Sequence, residues 1–257
     1  MPDGEYRFCY MGPAASRPEA ARGELLAQYY EKLLQVLGPQ GWWPARTRLE
    51  ISLGAILTQN TSWRNAALAL RGIRKAGFLS WRRLKHAPAS DLETCLRPAG
   101  FFRQKARAVR SFLDWLEAAA GGSFHRLFLL PAAEVRRQLL KVTGVGPETA
   151  DAILLYAGKQ PYFVADAYTR RILSRHEFFP PSIRYHEAQE FLQRHLPRDS
   201  GVYNEFHALL VEIGKRYCQK RKPDCDSCPL REFLPVAEAY INSGITSTVN
   251  TAFVDSL

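Results

Sequence analysis

The sequence predicts an all-α protein. Along most of its 257 residues, apolar side chains recur at the three- and four-residue spacing of amphipathic helices. The alternation of Val, Ile and Thr that is typical of strands is nearly absent, and Gly, Pro and Ser separate the helical runs. Hydrophobic residues make up 46% of the chain, so it can bury a substantial core.

The first helix is predicted over residues 24–37, because Gly38 and Pro39 end its apolar pattern. The later helices are predicted, in order, over residues 49–57, 63–76, 80–85, 89–96, 103–119, 132–141, 147–157, 166–175, 185–195 and 202–217. Residues 1–20 are rich in Gly, Pro, Ala and Ser, which predicts a flexible segment. The C-terminal tail, residues 236–257, loses the basic residues, and no structure is predicted for it.

A glycine hairpin separates two helical runs in the middle of the chain. Thr143, Gly144, Val145 and Gly146 form the turn, and Pro147 suits the first turn of the next helix. Glycine permits positive φ and lets the backbone approach a ligand without a Cβ in the way. Free amides at a helix N-terminus attract anions, and a DNA phosphodiester fits a hairpin of this shape. In the alternative interpretation, the two glycines simply link packed helices.

The charge of the chain favours a polyanionic partner. It carries 35 Lys and Arg against 25 Asp and Glu, for a net charge of +10. No segment is apolar for long enough to span a bilayer, and the N-terminus lacks the pattern of a secretory signal. We therefore expect a cytoplasmic protein without a membrane partner. Its five cysteines are then expected to stay reduced rather than to form a disulfide framework.

Several motifs accompany the hairpin, and their order and spacing are more specific than any one of them. They are Leu57-Thr58-Gln59-Asn60 on an early helix, the run from Gly100 to Ala106, the acid Asp166 eighteen residues after Glu148, and Cys218, Cys225 and Cys228 near the end. Together they resemble the endonuclease III family of helix-hairpin-helix (HhH-GPD) DNA glycosylases. The resemblance runs from about residue 24 to residue 230.

The resemblance implies two helical domains of the HhH-GPD type with a DNA-binding cleft between them. A six-helix domain would comprise residues 49–160 and end in the hairpin. Residues 21–48 would join residues 161–235 in the second domain. The partner would be double-stranded DNA that contains a damaged base, bound by a monomer in the nucleoid, and the damaged nucleotide would be rotated out of the duplex into the cleft.

Asp166 matches the catalytic aspartate of the family. Cleavage of an N-glycosidic bond develops positive charge on the sugar, which a neighbouring carboxylate stabilises while it orients or deprotonates the attacking water. From its position alone, Asp166 is also expected to cap the helix that begins at Ala167. The two roles are compatible.

Glu148 departs from the family pattern. Members that both remove the base and nick the strand carry a lysine here, whose amine forms a Schiff base with the sugar. A carboxylate cannot form that imine, and Lys141 lies two turns earlier on the preceding helix. A monofunctional, water-using glycosylase is therefore expected. As an alternative role, Glu148 does no more than favour the positive end of its helix.

The candidate base pocket resembles that of the 3-methyladenine glycosylases within this branch. Trp42 and Trp43 suit an alkylated purine, because stacking on indole adds a cation–π contribution for a methylated, electron-poor ring. Gln59 and Asn60 resemble the polar residues that fill the gap left by the extruded nucleotide. Tryptophans beside a first helix are also common core residues, and helix-end amides also serve packing, so both alternatives remain open.

Cys218, Cys225 and Cys228 match three of the four thiolate ligands of the family's [4Fe–4S] cluster. The fourth position is occupied by Leu234. The alternatives are a loop with reduced thiols and a zinc site.

Three functions are consistent with these residues. The favoured one is a monofunctional glycosylase that removes alkylated purines such as 3-methyladenine. The second is a bifunctional endonuclease III that acts on oxidised pyrimidines, which Glu148 disfavours. The third is a non-catalytic helix-hairpin-helix DNA-binding protein, which Asp166 disfavours.

Overall fold

The computed structural model of the protein describes residues 18–45 and 47–234. The C-terminal tail, Cys9 and most of the predicted N-terminal flexible segment lie outside the described residues. Within them the chain is helical and contains no β-strand, which confirms the all-α prediction. None of the described helices is long and apolar enough to cross a membrane.

Twelve α-helices follow one another along the described part of the chain. They are α1 (Glu19–Leu37), α2 (Arg48–Leu57), α3 (Trp63–Lys75), α4 (Trp81–His86), α5 (Ala89–Leu96), α6 (Phe102–Ala120), α7 (Phe124–Leu127), α8 (Ala132–Leu139), α9 (Pro147–Ala152), α10 (Ala167–Arg175), α11 (Tyr185–His195) and α12 (Ser200–Arg216). Short 3₁₀ turns cover Arg97–Ala99 and Arg231–Phe233.

One short helix, α7, was not predicted, most other bounds agree within two residues, and two helices differ more from the prediction. α1 begins at Glu19 rather than at residue 24, because its first turns dock on α11, where Arg194 pairs with Glu19 at 2.7 Å. The alanine-rich start of α1 carries little apolar periodicity, so the sequence pattern misses it. The predicted helix over residues 147–157 is α-helical only to Ala152 and continues as a π-helix over Ile153–Ala157.

The helices pack in two groups. α2 contacts α3, α6, α9 and the π-helical segment, and α5 packs against α3 and α6. α1 contacts α11 and α12, and α10 packs against α12, which also contacts the π-helical segment. The buried side chains form one continuous cluster through both groups, so the division into two domains at residues 49–160 stays a prediction.

A buried ion pair ties the hairpin region to α11. Arg136 on α8 donates from Nε and Nη2 to the two carboxylate oxygens of Asp151, at 2.6 and 3.0 Å. Tyr185 Oη and Gln189 Nε2 donate to Asp151 Oδ2 at 2.9 and 2.8 Å. Gln189 Nε2 also donates to the carbonyl oxygen of Phe163 at 2.7 Å. These bonds connect α8, α9 and α11 with the extended segment that leads to Asp166.

Candidate active site and nucleic-acid interface

Asp166 caps the N-terminus of α10, as its position predicts. Its Oδ1 accepts a hydrogen bond from the Thr169 amide at 2.8 Å, and its side chain is 13% exposed. The carboxylate is therefore fixed on one side by a helix N-terminus, whose free amides favour negative charge. It remains accessible enough to meet a ligand.

His207 on α12 faces the other oxygen of this carboxylate. Its Nε2 lies 3.6 Å from Asp166 Oδ2, and its Nδ1 forms a hydrogen bond with Tyr156 Oη. Burial of Asp166 opposes its negative charge, but His207 and the Thr169 amide outweigh that effect and lower the pKa of Asp166 below its ordinary value. Asp166 is therefore an ionised carboxylate at neutral pH.

Glu148 lies in the first turn of α9, close enough to Asp166 for their charges to interact. The crowding of protein around Glu148 and the negative charge of Asp166 together raise the pKa of Glu148, whereas His207 and Arg170 oppose this rise. The residue remains solvent-exposed, so it can still contact a ligand. The structure thus brings Glu148 and Asp166 within range of each other's charge.

Trp42 and Trp43 belong to an aromatic cluster that connects to Asp166 through Tyr156 and His207. The ring centroid of Trp43 lies 5.0 Å from that of Trp63 and 4.9 Å from that of Tyr156, the partner of His207. Trp42 packs edge-on against Trp63 at 5.3 Å, and Lys215 Nζ lies 5.8 Å from its ring. Both tryptophans are half-buried. They are available to a ligand and also contribute to packing.

The hairpin differs in one respect from its prediction. Only Gly144 has positive φ, at 83°, and a Cβ there would lie 2.5 Å from the Cβ of Ala108. Gly146 has an ordinary φ of −93°, and a Cβ there would meet no atom within 4 Å. The amides of both glycines take no part in the backbone hydrogen bonds of the described chain. Gly144 therefore serves the turn itself, and Gly146 leaves the backbone open to an approaching ligand.

The remaining residues of the turn separate into one buried and one exposed side chain. Val145 is 6% exposed, and its amide donates to the carbonyl oxygen of Val142 at 3.0 Å. Thr143 is exposed. Val145 thus anchors the hairpin, whereas Thr143 is available at the surface.

A recess of about 70 Å³ opens beside the hairpin between α2 and α6. Gln59 and Asn60 line it together with Phe101 and the buried Lys105. Gln59 is half-buried, but Asn60 is exposed and has a left-handed backbone, with φ of 52°. Packing therefore does not account for Asn60.

Phe101 is a feature that the sequence analysis did not assign. It is 67% exposed, and its φ is 46°. Lys105 Nζ donates to the carbonyl oxygens of Leu57 and Ala99, at 2.8 and 2.7 Å, and so joins the two segments that carry Asn60 and Phe101. Phe101 stands out because its aromatic ring is exposed and its backbone is left-handed. Both features are visible only in the structure, so no signal in the sequence could have identified Phe101.

The residues near the C-terminus supply three of the four thiolates that hold a four-iron cluster in the family. Cys218, Cys225 and Cys228 line one recess together with Leu234, which stands at the fourth ligand position. The thiol of Cys218 accepts a hydrogen bond from Arg175 Nη1 at 3.1 Å. Within residues 18–45 and 47–234, no three His, Cys, Asp or Glu side chains are grouped as a metal site requires. No step of the function below depends on a cluster.

Comparison with known proteins gives consistent results. The family model described as HhH-GPD superfamily base excision DNA repair protein matches residues 53–198. The protein MJ1434 of Methanocaldococcus jannaschii, whose name assigns it provisionally to the DNA repair glycosylases, is 39% identical over 211 residues, covering 82% of this chain and 96% of the relative. Endonuclease III of Sulfolobus acidocaldarius is 27% identical over 182 residues, covering 70% of this chain and 78% of that protein.

Two solved structures are similar in fold. A 3-methyladenine DNA glycosylase of H. pylori (MagIII), bound to 1,N6-ethenoadenine, gives a TM-score of 0.65 with 27% identity and covers 76% of this chain and 97% of its own. An endonuclease III in a non-covalent complex with DNA gives a TM-score of 0.71 with 19% identity and covers 85% of this chain and 98% of its own. The second likeness concerns the fold alone.

Proposed function

The chain belongs to the HhH-GPD superfamily of base excision DNA repair proteins, and from that membership we propose that it is a monofunctional DNA glycosylase for alkylated purines. The family is one of DNA glycosylases, and its similar structures include complexes with DNA. The finer proposal concerns the chemistry at Asp166 and the class of base. The single observation that carries it is the fixed Asp166 carboxylate at the cap of α10, with Glu148 rather than a lysine close enough to interact with it by charge.

Asp166 would support the breaking of the N-glycosidic bond. As the base departs, the sugar gains oxocarbenium character, and a fixed carboxylate stabilises that charge more than it stabilises the neutral ground state. Its cap on α10 and its contact with His207 hold the carboxylate before the substrate arrives. The carboxylate would then orient the attacking water or take its proton.

Glu148 supports hydrolysis by water rather than strand nicking. Nicking through a Schiff base needs an amine that attacks the sugar, and a carboxylate has no such amine. The pKa of Glu148 is raised and that of Asp166 is lowered, so Glu148 takes up a proton before Asp166 does as the pH falls. Glu148 would line the site beside the reacting sugar.

The aromatic cluster supports an electron-poor purine as the substrate. A methylated purine stacks favourably on indole and phenol rings, through both its apolar area and its charge. Trp42 and Trp43 lie next to Tyr156, which contacts His207 and through it Asp166. The similar MagIII protein, at 27% identity, is a 3-methyladenine DNA glycosylase with 1,N6-ethenoadenine bound.

The hairpin and the recess beside it would hold the duplex. Gly146 offers an unobstructed backbone at the N-terminus of α9, which suits a phosphate. Asn60 and Phe101 stand at the mouth of the recess, where an exposed amide and an exposed ring could fill or wedge the gap left by the extruded nucleotide. The net charge of +10 strengthens binding to any duplex.

The test uses three duplexes that each carry one lesion: 3-methyladenine, 1,N6-ethenoadenine or an oxidised pyrimidine. Base release and strand cleavage are measured separately, with Asp166→Asn as the inactive control. We expect release of one or both alkylated purines without strand cleavage. Release of the oxidised pyrimidine with cleavage would support the bifunctional alternative instead, and DNA binding without release of any base would support the non-catalytic one.

A further inference from the structure

A buried histidine lies between the proposed catalytic carboxylate and a buried tyrosine. His207 is 7% exposed, Tyr156 is 7% exposed, and the two are joined by a hydrogen bond between Tyr156 Oη and His207 Nδ1. His207 Nε2 points to Asp166 Oδ2 at 3.6 Å. We propose that His207 is a positioning residue that keeps Asp166 ionised and fixed in place for base release, a role that rests on the proposed function.

The direction of the hydrogen bonds follows from the partners. A carboxylate only accepts hydrogen bonds, so a lone pair on His207 Nε2 would repel Asp166, and a proton on that nitrogen is strongly favoured. In the neutral imidazole, Nδ1 must then be an acceptor, and the Tyr156 hydroxyl is the donor that it meets. If His207 is protonated, Nε2 still carries a proton toward Asp166.

Tyr156 is suited to fix this arrangement. Burial, together with the charges of Asp166 and Glu205, raises the pKa of Tyr156 well above its ordinary value, so the phenol keeps its proton and remains a donor. Its ring packs against Trp43 at 4.9 Å, and Phe163 packs edge-on against His207 at 6.4 Å. The imidazole is therefore held by a hydrogen bond and by ring contacts.

His207 offsets the repulsion that Glu148 exerts on the negative charge of Asp166. Glu148 on α9 repels a negative Asp166, since charge interactions are reciprocal, whereas the Thr169 amide and His207 stabilise it. Arg170 on α10 adds a positive charge near Glu148. Without His207, the Asp166 carboxylate would face Glu148 with the hydrogen bond from the Thr169 amide as its remaining stabilisation.

His207 and Asp166 are in electrostatic contact that is longer than a good hydrogen bond. At 3.6 Å the two atoms are too far apart for a good direct bond, and His207 Nε2 is a buried atom with no hydrogen-bond partner among the described residues. Thr169 Oγ1, three residues after Asp166, is in the same state.

The first test is the pH dependence of single-turnover base release. In His207→Leu the pKa of Asp166 should rise, and the acid limb of the rate profile should move to higher pH. The rate should fall roughly tenfold or more at the acid end and recover toward alkaline pH, where Asp166 is ionised in either protein. His207→Gln keeps an N–H donor and should restore much of the wild-type profile.

Two further variants test the direction in which the acid limb of the rate profile moves. Glu148→Gln removes a repelling charge and should move the acid limb to lower pH, opposite to His207→Leu. Tyr203→Phe is the matched control, because Tyr203 is a buried tyrosine on α12 whose hydroxyl has no partner among the described residues. Its profile should match that of the wild type. A rate that falls equally at every pH in His207→Leu, or that does not change, would overturn the proposal.

The second test needs no substrate. In the free protein, ¹⁵N shifts of the His207 ring should show Nε2 protonated, and ¹³C titration should show the Asp166 midpoint rising in His207→Leu, with Asp166→Asn used for assignment. A proton mainly on Nδ1, or an unchanged Asp166 midpoint, would refute the inference even if base release is found. If no duplex loses a base while these shifts appear as expected, the proposed function fails and the coupling of His207 to Asp166 stands.

Discussion

The side-chain amide of Gln59 donates a hydrogen bond to the carbonyl oxygen of Gly144, at 2.9 Å and across 85 residues of sequence. The same nitrogen donates to Thr149 Oγ1 at 2.8 Å, so one side chain holds both sides of the hairpin. The end of α2 and the hairpin are therefore one unit. Because Asn60 follows Gln59 directly, this unit connects the hairpin, where a DNA phosphate is proposed to bind, with the recess that Asn60 lines.

Valine at Gly146 is expected to weaken binding to any duplex, with or without a lesion. The ordinary φ and the open space at Gly146 allow the folded chain to accept valine, but a phosphate that approaches the backbone would meet the branched side chain. Fluorescence anisotropy with labelled duplexes measures the affinity. Wild-type binding should also weaken steeply as salt rises.

Gly201→Val is the control for this substitution, since Gly201 is an exposed glycine at the start of α12 that lacks positive φ and whose added Cβ would meet only Asp199 Oδ1, at 2.9 Å. Gly144→Val would be less informative, because its positive φ and its 2.5 Å approach to Ala108 would strain the turn itself. Equal affinities for Gly146→Val and Gly201→Val, or a wild-type affinity that does not depend on salt concentration, would contradict the proposed contact between a DNA phosphate and the backbone at Gly146.

The two tryptophans are expected to behave differently. Trp43 packs against Trp63 and Tyr156 and closely covers Gly54, so Trp43→Ala should lower the free energy of unfolding by about 3 kcal/mol and impair every activity. Trp42→Ala should cost about 1–3 kcal/mol of base recognition and leave binding to abasic-site DNA nearly intact. Melting curves and competition between damaged and abasic duplexes measure the two effects.

Trp81→Ala is the control for this pair, because Trp81 is a half-buried tryptophan that packs against Gly122. It should reduce stability without changing the preference between damaged and abasic DNA. If Trp42→Ala also lowers stability and affects both DNAs alike, Trp42 is a core residue and the stacking assignment is wrong.

Local signals in the sequence were enough to predict most helices and the position of Asp166 at the start of α10. Pro88 precedes α5, and the predicted bounds of α5 and α11 agree with the structure because each helix carries an apolar period between clear breaks. Asp166 was predictable as a cap because a cap depends only on its neighbours in the chain. Such features need no knowledge of the fold.

Contacts between distant segments were not predictable. His207 and Tyr156 are 51 residues apart, and nothing local to either indicates that they meet beside Asp166. The glycines of the hairpin looked equivalent, because glycine permits positive φ without requiring it, and only packing against Ala108 distinguishes Gly144. These features depend on how the helices pack.

The cysteine loop is expected to fold without iron. Arg175 donates to Cys218 Sγ and to the carbonyl oxygens of Gln219 and Lys220, at 3.1, 2.8 and 3.0 Å, so protein contacts already hold the start of the loop. Protein purified without oxygen should therefore be colourless and contain no iron by elemental analysis. Cys225→Ser should retain DNA binding.

Leu234→Cys supplies the missing fourth thiolate and is the comparison for this prediction. It should also bind no iron if the loop has lost the shape that a cluster needs. Yellow-brown wild-type protein that Cys225→Ser bleaches would contradict this prediction and would favour a cluster held by three cysteines.

Removal of the buried carboxylate beneath the hairpin should destabilise the fold. Asp151 is fully buried and accepts hydrogen bonds from Arg136, Tyr185 and Gln189. Asp151→Ala leaves the Arg136 charge partly buried and unpaired, so the free energy of unfolding should fall by roughly 3–5 kcal/mol in urea titrations. Glu134→Gln, which breaks the exposed pair with Arg137, should change stability little. Similar losses in both variants would contradict this account.

The chemistry of base release is expected to depend on Asp166 and not on an amine. Asp166→Asn should slow base release by at least about 100-fold, since it removes the charge that stabilises the sugar, while Asn still caps α10 and preserves the fold. DNA binding should persist or tighten, because a negative charge near phosphates is lost. Single-turnover rates and binding titrations separate the two effects, and a small loss of rate would remove Asp166 from the chemistry.

Borohydride trapping tests whether an amine takes part, because it reduces a Schiff base between protein and sugar to a permanent adduct. The wild-type protein should give no adduct, since Glu148 stands where the resemblance places the amine of strand-nicking enzymes. Glu148→Lys should create an adduct and strand cleavage if that position truly faces the sugar, and Glu148→Gln is the control that changes the charge without supplying an amine. An adduct with the wild-type protein would contradict hydrolysis by water and would support the bifunctional alternative, because some other amine would then have to reach the sugar beside Asp166.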